Sequence, residues 1–144
     1  MATKKSTGNH QTADTVAAQF CVTVRDYPDR VALRWKDGDD FRELTWAEYS
    51  QSAGRAAQAL SDLGLEKGQR VVLMMRNRPE FHIADMATVL LGATPVSIYN
   101  SSSPEQIEYL ATHCEATVAI VEDVELLDRF MAVRNNIPTL KYVV

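Results

Sequence analysis

Four short apolar stretches recur at nearly equal spacing in the second half of the chain, and this spacing limits the folds that the chain can adopt. They begin near residues 71, 94, 117 and 140, and segments with helical patterns separate them. Two neighbouring parallel strands need a long crossover connection, usually a helix, whereas a tight turn joins antiparallel strands. The spacing therefore predicts an α/β fold in which βαβαβαβ units form a mostly parallel, doubly wound sheet.

A helix and a β-hairpin are predicted to precede these units. Residues 16–27 place apolar side chains at helical spacing, and Thr12 or Asp14 is the predicted N-cap. Residues 31–36 then alternate between apolar and polar side chains, and an Asp-Gly-Asp-Asp turn at 37–40 leads into a second short strand. This pattern is typical of a β-hairpin.

Boundary residues mark the helices that follow. Thr45 and Glu48 have the spacing of a capping box, and Gly64 suits the left-handed position after a helix. Pro79 and Gly92 are predicted to open and end another helix, which is apolar nearly all round. We expect this helix to be covered on more than one side, with part of that cover missing from this chain.

Length and charge favour one globular module and exclude several classes of partner. The chain has 144 residues, of which 46% are hydrophobic, and a net charge of −4. We predict a single α/β module over residues 13–144, preceded by a flexible polar tail over residues 1–12. The mild acidity provides no electrostatic footprint for nucleic acid or for anionic lipid. No apolar run approaches the ~20 residues that a transmembrane helix needs.

The two cysteines are predicted to be buried, reduced thiols within helices. Neither Cys21 nor Cys114 belongs to a C-x-x-C or Cys/His ligand spacing. Unpaired thiols are typical of reducing compartments, so a cytoplasmic location is predicted.

The residue types that commonly carry catalysis show no recognisable pattern. None of the six glycines forms a dinucleotide-binding or P-loop sequence, and the three histidines follow no metal-ligand spacing. No nucleophile elbow is present. Three polar clusters are better explained as helix caps or turns than as a nucleophile, an acid–base pair or a calcium site: residues 101–103, 122–125 and 37–40. No catalytic, cofactor-binding or metal-binding residue is therefore predicted.

Five short motifs occur in order along the chain. They are Leu-Thr-Trp-Ala-Glu-Tyr at 44–49, Leu-Glu-Lys-Gly-Gln-Arg-Val at 65–71, Met-Arg-Asn-Arg-Pro-Glu-Phe-His-Ile-Ala-Asp at 75–85, Gly-Ala-Thr-Pro-Val-Ser-Ile-Tyr at 92–99 and Ser-Ser-Ser-Pro-Glu-Gln-Ile at 101–107. Together they resemble the adenylate-forming superfamily, and the third and fifth resemble long-chain fatty-acid–CoA ligases. The resemblance covers residues 14–144. Phe81 replaces the usual Trp but is still a large apolar anchor, and Asn100 stands where Thr or Pro is common but still favours a turn.

The resemblance implies that the chain is the N-terminal part of the large AMP-binding domain of an acyl-CoA ligase. Such enzymes convert a carboxylate into an acyl-adenylate and pyrophosphate with ATP and Mg²⁺, and coenzyme A then takes the acyl group as a thioester. The family's phosphate loop, adenine-binding motifs and catalytic lysine lie C-terminal to the matched region, and none is present in this sequence. The chain alone is therefore expected to be inactive, and ATP, Mg²⁺ and CoA are implied only for the full-length enzyme.

Two residues are predicted to lie next to the substrate of such an enzyme. Tyr99 and Asn100 lie at the C-terminal end of a parallel strand predicted over residues 94–99. Open α/β sheets place ligands at the carboxyl ends of their strands. Contact of these two residues with the substrate pocket is therefore a hypothesis for the whole enzyme.

The remainder of a parent ligase is the expected partner of this chain. The apolar stretch at 141–144 predicts that the parent protein continues. An unpaired strand edge there and a partly uncovered helix also predict self-association. Peripheral membrane association is left open for the full-length enzyme, although no anchor is visible here.

Two other interpretations stay open. The chain could be a free-standing, non-catalytic interaction module related to acyl-CoA ligases, which binds a partner through its apolar helix or a sheet edge. It could also be a nucleotide-binding regulatory domain, although the missing glycine loop weakens that interpretation.

Overall fold

The computed structural model describes residues 13–144, so the tail predicted over residues 1–12 lies outside the described residues. The N-terminal part contains a helix, a hairpin and a second helix: α1 (Val16–Asp26), β1 (Val31–Asp37), β2 (Asp40–Thr45) and α2 (Trp46–Asp62). Alternating strands and helices follow: β3 (Arg70–Met74), α3 (Pro79–Leu90), β4 (Thr94–Ser97), α4 (Pro104–His113), β5 (Ala116–Val121), α5 (Val124–Val133) and β6 (Tyr142–Val143). A short 3-10 turn at Arg134–Asn136 extends α5.

The predicted parallel sheet is present. Its strand order is β4-β3-β5-β6, and every neighbouring pair is parallel, whereas β1 and β2 form a separate antiparallel hairpin. The chain therefore moves from β3 to one side, crosses back to β5 and continues to β6 on the other side. This order confirms the doubly wound architecture.

Strand β3 shows how the two faces of the sheet are used. Val71 and Leu73 pack with α2 and α3, while Val72 and Met74 pack with α4 and α5. All four side chains are fully buried, as expected for a central parallel strand whose successive side chains point to opposite faces.

Helix α3 is covered on several sides, as the sequence predicts, but its cover lies within this chain. Ala84 and Ala87 face the sheet, and Ile83 and Met86 pack in a cluster that contains Phe20 of α1. No residue from 81 to 91 is exposed. Eight of these eleven residues remain half-buried, so the helix is still partly uncovered. The sequence did not indicate that α1 and α2 fold back over it, because an apolar pattern does not reveal which element supplies the cover.

Most predicted boundaries agree with the structure. Thr45 forms the capping box of α2, and Gly64 takes the left-handed conformation after it with φ +82°. The predicted N-cap of α1 is wrong, because Thr15 accepts a hydrogen bond from Ala18 N at 3.1 Å. Strand β4 ends at Ser97 rather than at Tyr99, so the residues that follow Ser97 lie outside the strand.

The cysteine prediction is only partly correct. Both thiols are unpaired, but Cys21 is exposed on α1 rather than buried. Cys114 is half-buried and follows α4 as its C-cap. Burial raises the pKa of the Cys114 thiol, and Arg70 opposes this only in part.

Candidate functional site at the carboxyl edge of the sheet

The segments that follow β3 and β4 line an open groove of about 630 Å³. Its walls are formed by Met75, Arg76, Asn77, Phe81 and residues 97–101. Tyr99 and Asn100 therefore lie at the edge of the sheet where the sequence places them. The structure also brings the segment at 75–77 beside them, which strand periodicity alone did not indicate.

A tight turn carries Tyr99 and Asn100. Ser102 N donates a hydrogen bond to Tyr99 O at 3.0 Å, which closes the turn. Arg129 Nη1 donates to Asn100 O at 2.8 Å and to Ser102 O at 3.4 Å. The backbone of the turn is thus held from α5, while the Tyr99 side chain is 85% exposed.

The turn passes directly into α4. Ser103 caps this helix by accepting a hydrogen bond from Gln106 N, and the Gln106 side chain accepts one from Ser103 N at 2.9 Å. The serine cluster at 101–103 therefore caps a helix, as predicted, and Ser102 is buried.

Arginines and carboxylates occupy the neighbouring crevice between the carboxyl ends of β3 and β5. Arg76 Nη1 lies 2.9 Å from Asp123 Oδ2 and 3.1 Å from Glu122 Oε1, and Arg78 Nη1 lies 3.3 Å from the same Glu122 oxygen. Arg76 N also donates to Glu122 Oε2. In doubly wound sheets this crevice is the point where the connections diverge, and it commonly receives ligands.

Both carboxylates of this network are held in the charged form. Burial by itself would raise the pKa of Glu122, but the backbone N–H of Arg76 and the guanidinium groups of Arg76 and Arg78 bring the net pKa below its ordinary value. The Leu126 backbone N–H and the Arg76 guanidinium similarly lower the pKa of Asp123. Asp123 caps α5, as predicted; the arginine partners were missed because they lie more than 40 residues away in sequence.

A second titratable cluster lies between α2 and α3. Tyr49 donates to His82 O at 2.8 Å, and burial raises the pKa of Tyr49 to about 12, with a further contribution from Asp85. Burial also raises the pKa of Asp85, and His82 opposes this shift. Tyr49 packs with Phe20 and Ala53, so the cluster belongs to the interior between the helices rather than to the groove.

The described residues do not fit a site for Mg²⁺ and ATP. Within residues 13–144, no three His, Cys, Asp or Glu side chains come together as metal ligands. The carboxylates nearest the groove, Glu122 and Asp123, are already paired with arginines. The connection after β3 contains no glycine that would let backbone N–H groups approach a phosphate closely.

Similar proteins agree with this fold. The profile of the AMP-binding enzyme family matches residues 20–144. The long-chain-fatty-acid–CoA ligase ACSBG2 of Xenopus laevis is 33% identical over 130 residues, which are 90% of this chain and 18% of that relative. The human long-chain-fatty-acid–CoA ligase ACSBG1 is 32% identical with the same coverage. The chain thus spans less than a fifth of the length of these curated relatives.

A shorter relative is also found. The uncharacterized protein Rv1549 of Mycobacterium tuberculosis is 38% identical over 118 residues, which are 82% of this chain and 66% of that protein. Regions of this kind therefore occur both in long ligases and in a protein not much larger than the matched region.

Solved structures show the same architecture. The anthranilate CoA ligase AuaEII, in complex with anthranoyl-AMP, superimposes with a TM-score of 0.78 at 29% identity and covers 86% of this chain and 23% of that chain. A fatty acyl CoA synthetase of Mycobacterium tuberculosis has a TM-score of 0.77 at 23% identity, covers 87% of this chain and 25% of its own, and supports the fold alone. None of the helices described over residues 13–144 combines the length and apolar character needed to cross a bilayer. The family profile and the superposition lead to one conclusion: the chain belongs to the AMP-binding enzyme family and corresponds to the N-terminal region of its adenylate-forming acyl-CoA ligases.

Proposed function

We propose that this chain is the N-terminal structural portion of a long-chain fatty-acid–CoA ligase. The complete enzyme would convert a fatty acid, ATP and CoA into acyl-CoA, AMP and pyrophosphate through an acyl-adenylate. The observation that carries this proposal is the 33% identity to a long-chain ligase over 90% of this chain, which amounts to only 18% of that relative.

The chain by itself is proposed to be inactive. Adenylation requires cations and backbone donors placed around the reacting phosphates. Arg76 and Arg78 lie in the crevice between the carboxyl ends of β3 and β5, and both are paired with carboxylates. ATP, Mg²⁺ and CoA would therefore bind only when the rest of a ligase is present.

Pyrophosphate release tests this proposal directly. The chain and the complete gene product are incubated separately with palmitate, ATP and Mg²⁺, with a known long-chain ligase of the family as positive control. We expect release from the complete gene product and none from the chain. Release by the chain would show that it contains an ATP site, and release by neither protein would oppose the assignment to an active ligase.

We also propose that Tyr99 and Asn100 contact the substrate of the complete enzyme. Both line the groove, and the Tyr99 ring projects from a fixed turn into solvent. Tyr99→Ala in the complete gene product should change the preference among fatty acids of different length. Tyr142→Ala is a suitable control, because Tyr142 is an exposed tyrosine of β6 that does not line this groove. Unchanged kinetics for Tyr99→Ala across chain lengths would count against the contact.

A free-standing interaction module is the second candidate. The short relative favours it, because the region matched there makes up 66% of that protein. Because α1 and α2 pack over α3, binding would use mainly the outer edges of β4 or β6. Co-purification of a ligase with the tagged chain from its native source, together with no activity of the gene product alone, would favour the module.

Three further points stay proposals: self-association, the extent of the domain and the cellular location. The outer edges of β4 and β6 support self-association, which light scattering at high protein concentration measures. A protease-resistant core beginning near residue 13 would agree with one module over 13–144. Fractionation of cells would test the proposed cytoplasmic location.

A further inference from the structure

We propose that Arg129 is a positioning residue, which fixes the turn at 99–102 and thereby orients the Tyr99 side chain in the groove. The inference rests on the proposed function of that groove. It concerns a residue of α5 that none of the five sequence motifs contains.

The contacts of Arg129 define a clamp. One guanidinium nitrogen, Nη1, bonds the carbonyl oxygens of Asn100 and Ser102, at 2.8 and 3.4 Å. The other, Nη2, pairs with Glu125 one helical turn earlier. Because the guanidinium is planar, bonds on both sides of it fix its orientation. The turn is therefore tied to α5, 27 or more residues away in sequence.

Because Tyr99 is exposed, the backbone of the turn sets the direction of its ring. A side chain that is 85% exposed has few packing contacts to restrict its direction. The direction of the ring therefore depends on the backbone from which it projects. That backbone is bonded at Ile98 N to Leu73 O at 3.0 Å, at Ser102 N to Tyr99 O, and at the Asn100 and Ser102 carbonyls to Arg129.

Hydrogen bonds with one charged partner are stronger than neutral ones, so loss of Arg129 should loosen the turn measurably. A purely structural arginine would instead weaken the whole fold when removed. The two roles can be separated because the turn and the start of α4 each have a backbone amide reporter: Ser102 N, bonded to Tyr99 O, and Ile107 N, bonded to Ser103 O at 2.9 Å.

The first experiment measures amide hydrogen exchange by NMR in the 144-residue chain. We expect Arg129→Gln to accelerate exchange at Ser102 about tenfold and to leave Ile107 unchanged. Arg129→Lys should retain part of the protection of Ser102 N against exchange. An ammonium group can reach one carbonyl but cannot bond on both sides as the planar guanidinium does. If Arg129→Gln does not fold, faster exchange at Ser102 than at Ile107 in Arg129→Lys, relative to the unsubstituted protein, still supports the clamp, and unchanged Ser102 exchange overturns it.

Arg134→Gln is the matched control. Arg134 Nη2 also donates to a backbone carbonyl, that of Lys141, at 3.1 Å, but it does not touch the turn. It should leave Ser102 exchange unchanged. Unchanged Ser102 exchange in Arg129→Gln, or equal acceleration at Ser102 and Ile107, would overturn the clamp.

The second experiment uses the complete gene product and a double-mutant cycle with Tyr99→Ala. If Arg129 acts through the turn, Arg129→Gln should lower kcat/KM for palmitate in the presence of Tyr99 and have little further effect in Tyr99→Ala. An equal loss in both backgrounds would contradict positioning of Tyr99. Faster Ser102 exchange, with no kinetic effect of either substitution, would support the clamp and refute the proposed role of the groove.

Discussion

Glu122 illustrates how one residue can be nearly buried and still carry charge. Its side chain is only 11% exposed, yet it accepts a backbone hydrogen bond from Arg76 and lies between two guanidinium groups. The desolvation that would neutralise an isolated carboxylate is offset by these partners. The crevice that often receives a ligand in such sheets is therefore occupied by the protein's own side chains.

The pH dependence of this residue follows from the direction of its shift. Because the pKa of Glu122 is lowered in the folded protein, its stabilisation is complete above its unfolded pKa, about 4.3, and is lost as pH falls through the lower folded pKa. We expect Glu122→Gln to reduce the free energy of unfolding by about 1 kcal/mol at pH 7. The difference from the unsubstituted protein should shrink below about pH 4.3.

Urea unfolding at a series of pH values measures this difference. Glu66→Gln, at an exposed glutamate before β3, controls for the general loss of one negative charge. A difference for Glu122→Gln that stays constant down to pH 3 would show that the ion pairs do not stabilise the fold.

At the scale of elements, the junction between the hairpin and α2 satisfies the first backbone donors of the helix. Trp46 N donates to Arg30 O at 2.9 Å and Ala47 N to Pro28 O at 3.0 Å. Glu48 N donates to Thr45 Oγ1 at 3.2 Å, and the Glu48 carboxylate accepts from Thr45 N at 2.8 Å. The capping box therefore fixes the helix start and the direction in which the hairpin leaves it.

Removing the Thr45 hydroxyl tests the strength of this junction. Thr45→Ala should lower the free energy of unfolding by about 1 kcal/mol, because an N-terminal donor of α2 loses its acceptor. Thr45→Ser keeps the hydroxyl and should lose much less. Equal denaturation midpoints for the Ala and Ser variants would mean that the hydroxyl of the capping box makes no measurable contribution to stability.

Element boundaries were predictable because their signals are local. Thr45, Ser103 and Asp123 each cap a helix whose partner N–H lies three residues later, so a short window of sequence contains the whole interaction. The site was only partly predictable. Tyr99 follows from the strand rule, but Arg129 reaches the same turn from another helix, and nothing in local spacing indicates such a contact.

At the scale of the whole molecule, the sheet separates two apolar layers. One layer joins it to α4 and α5 and contains Phe130, and the other joins it to α2 and α3. A third cluster between α1, α2 and α3 includes Phe20, whose ring meets the rings of Trp46 and Tyr49 edge-on. The groove lies at the carboxyl edge of the sheet, where β3 and β4 end.

Phe130→Ala tests the layer under α5. Phe130 is fully buried, so its truncation removes apolar contacts and leaves a cavity, and we expect a loss of about 3–5 kcal/mol in the free energy of unfolding. Phe41→Ala, at a hairpin position that is 66% exposed, should change it by less than about 0.5 kcal/mol. Similar urea midpoints for the two variants would contradict this assignment of the core.

The strand order also has a consequence for synthesis on the ribosome. β4 pairs with β3, β5 with the other edge of β3, and β6 with β5, so each later strand meets a partner that was translated before it. Helix α3 similarly packs on α1 and α2, which emerge first. Domains generally fold as units, the N-terminal ones first, while residues are added at about 5–20 per second. Each strand after β3 therefore has its pairing partner already synthesised when the strand itself is made.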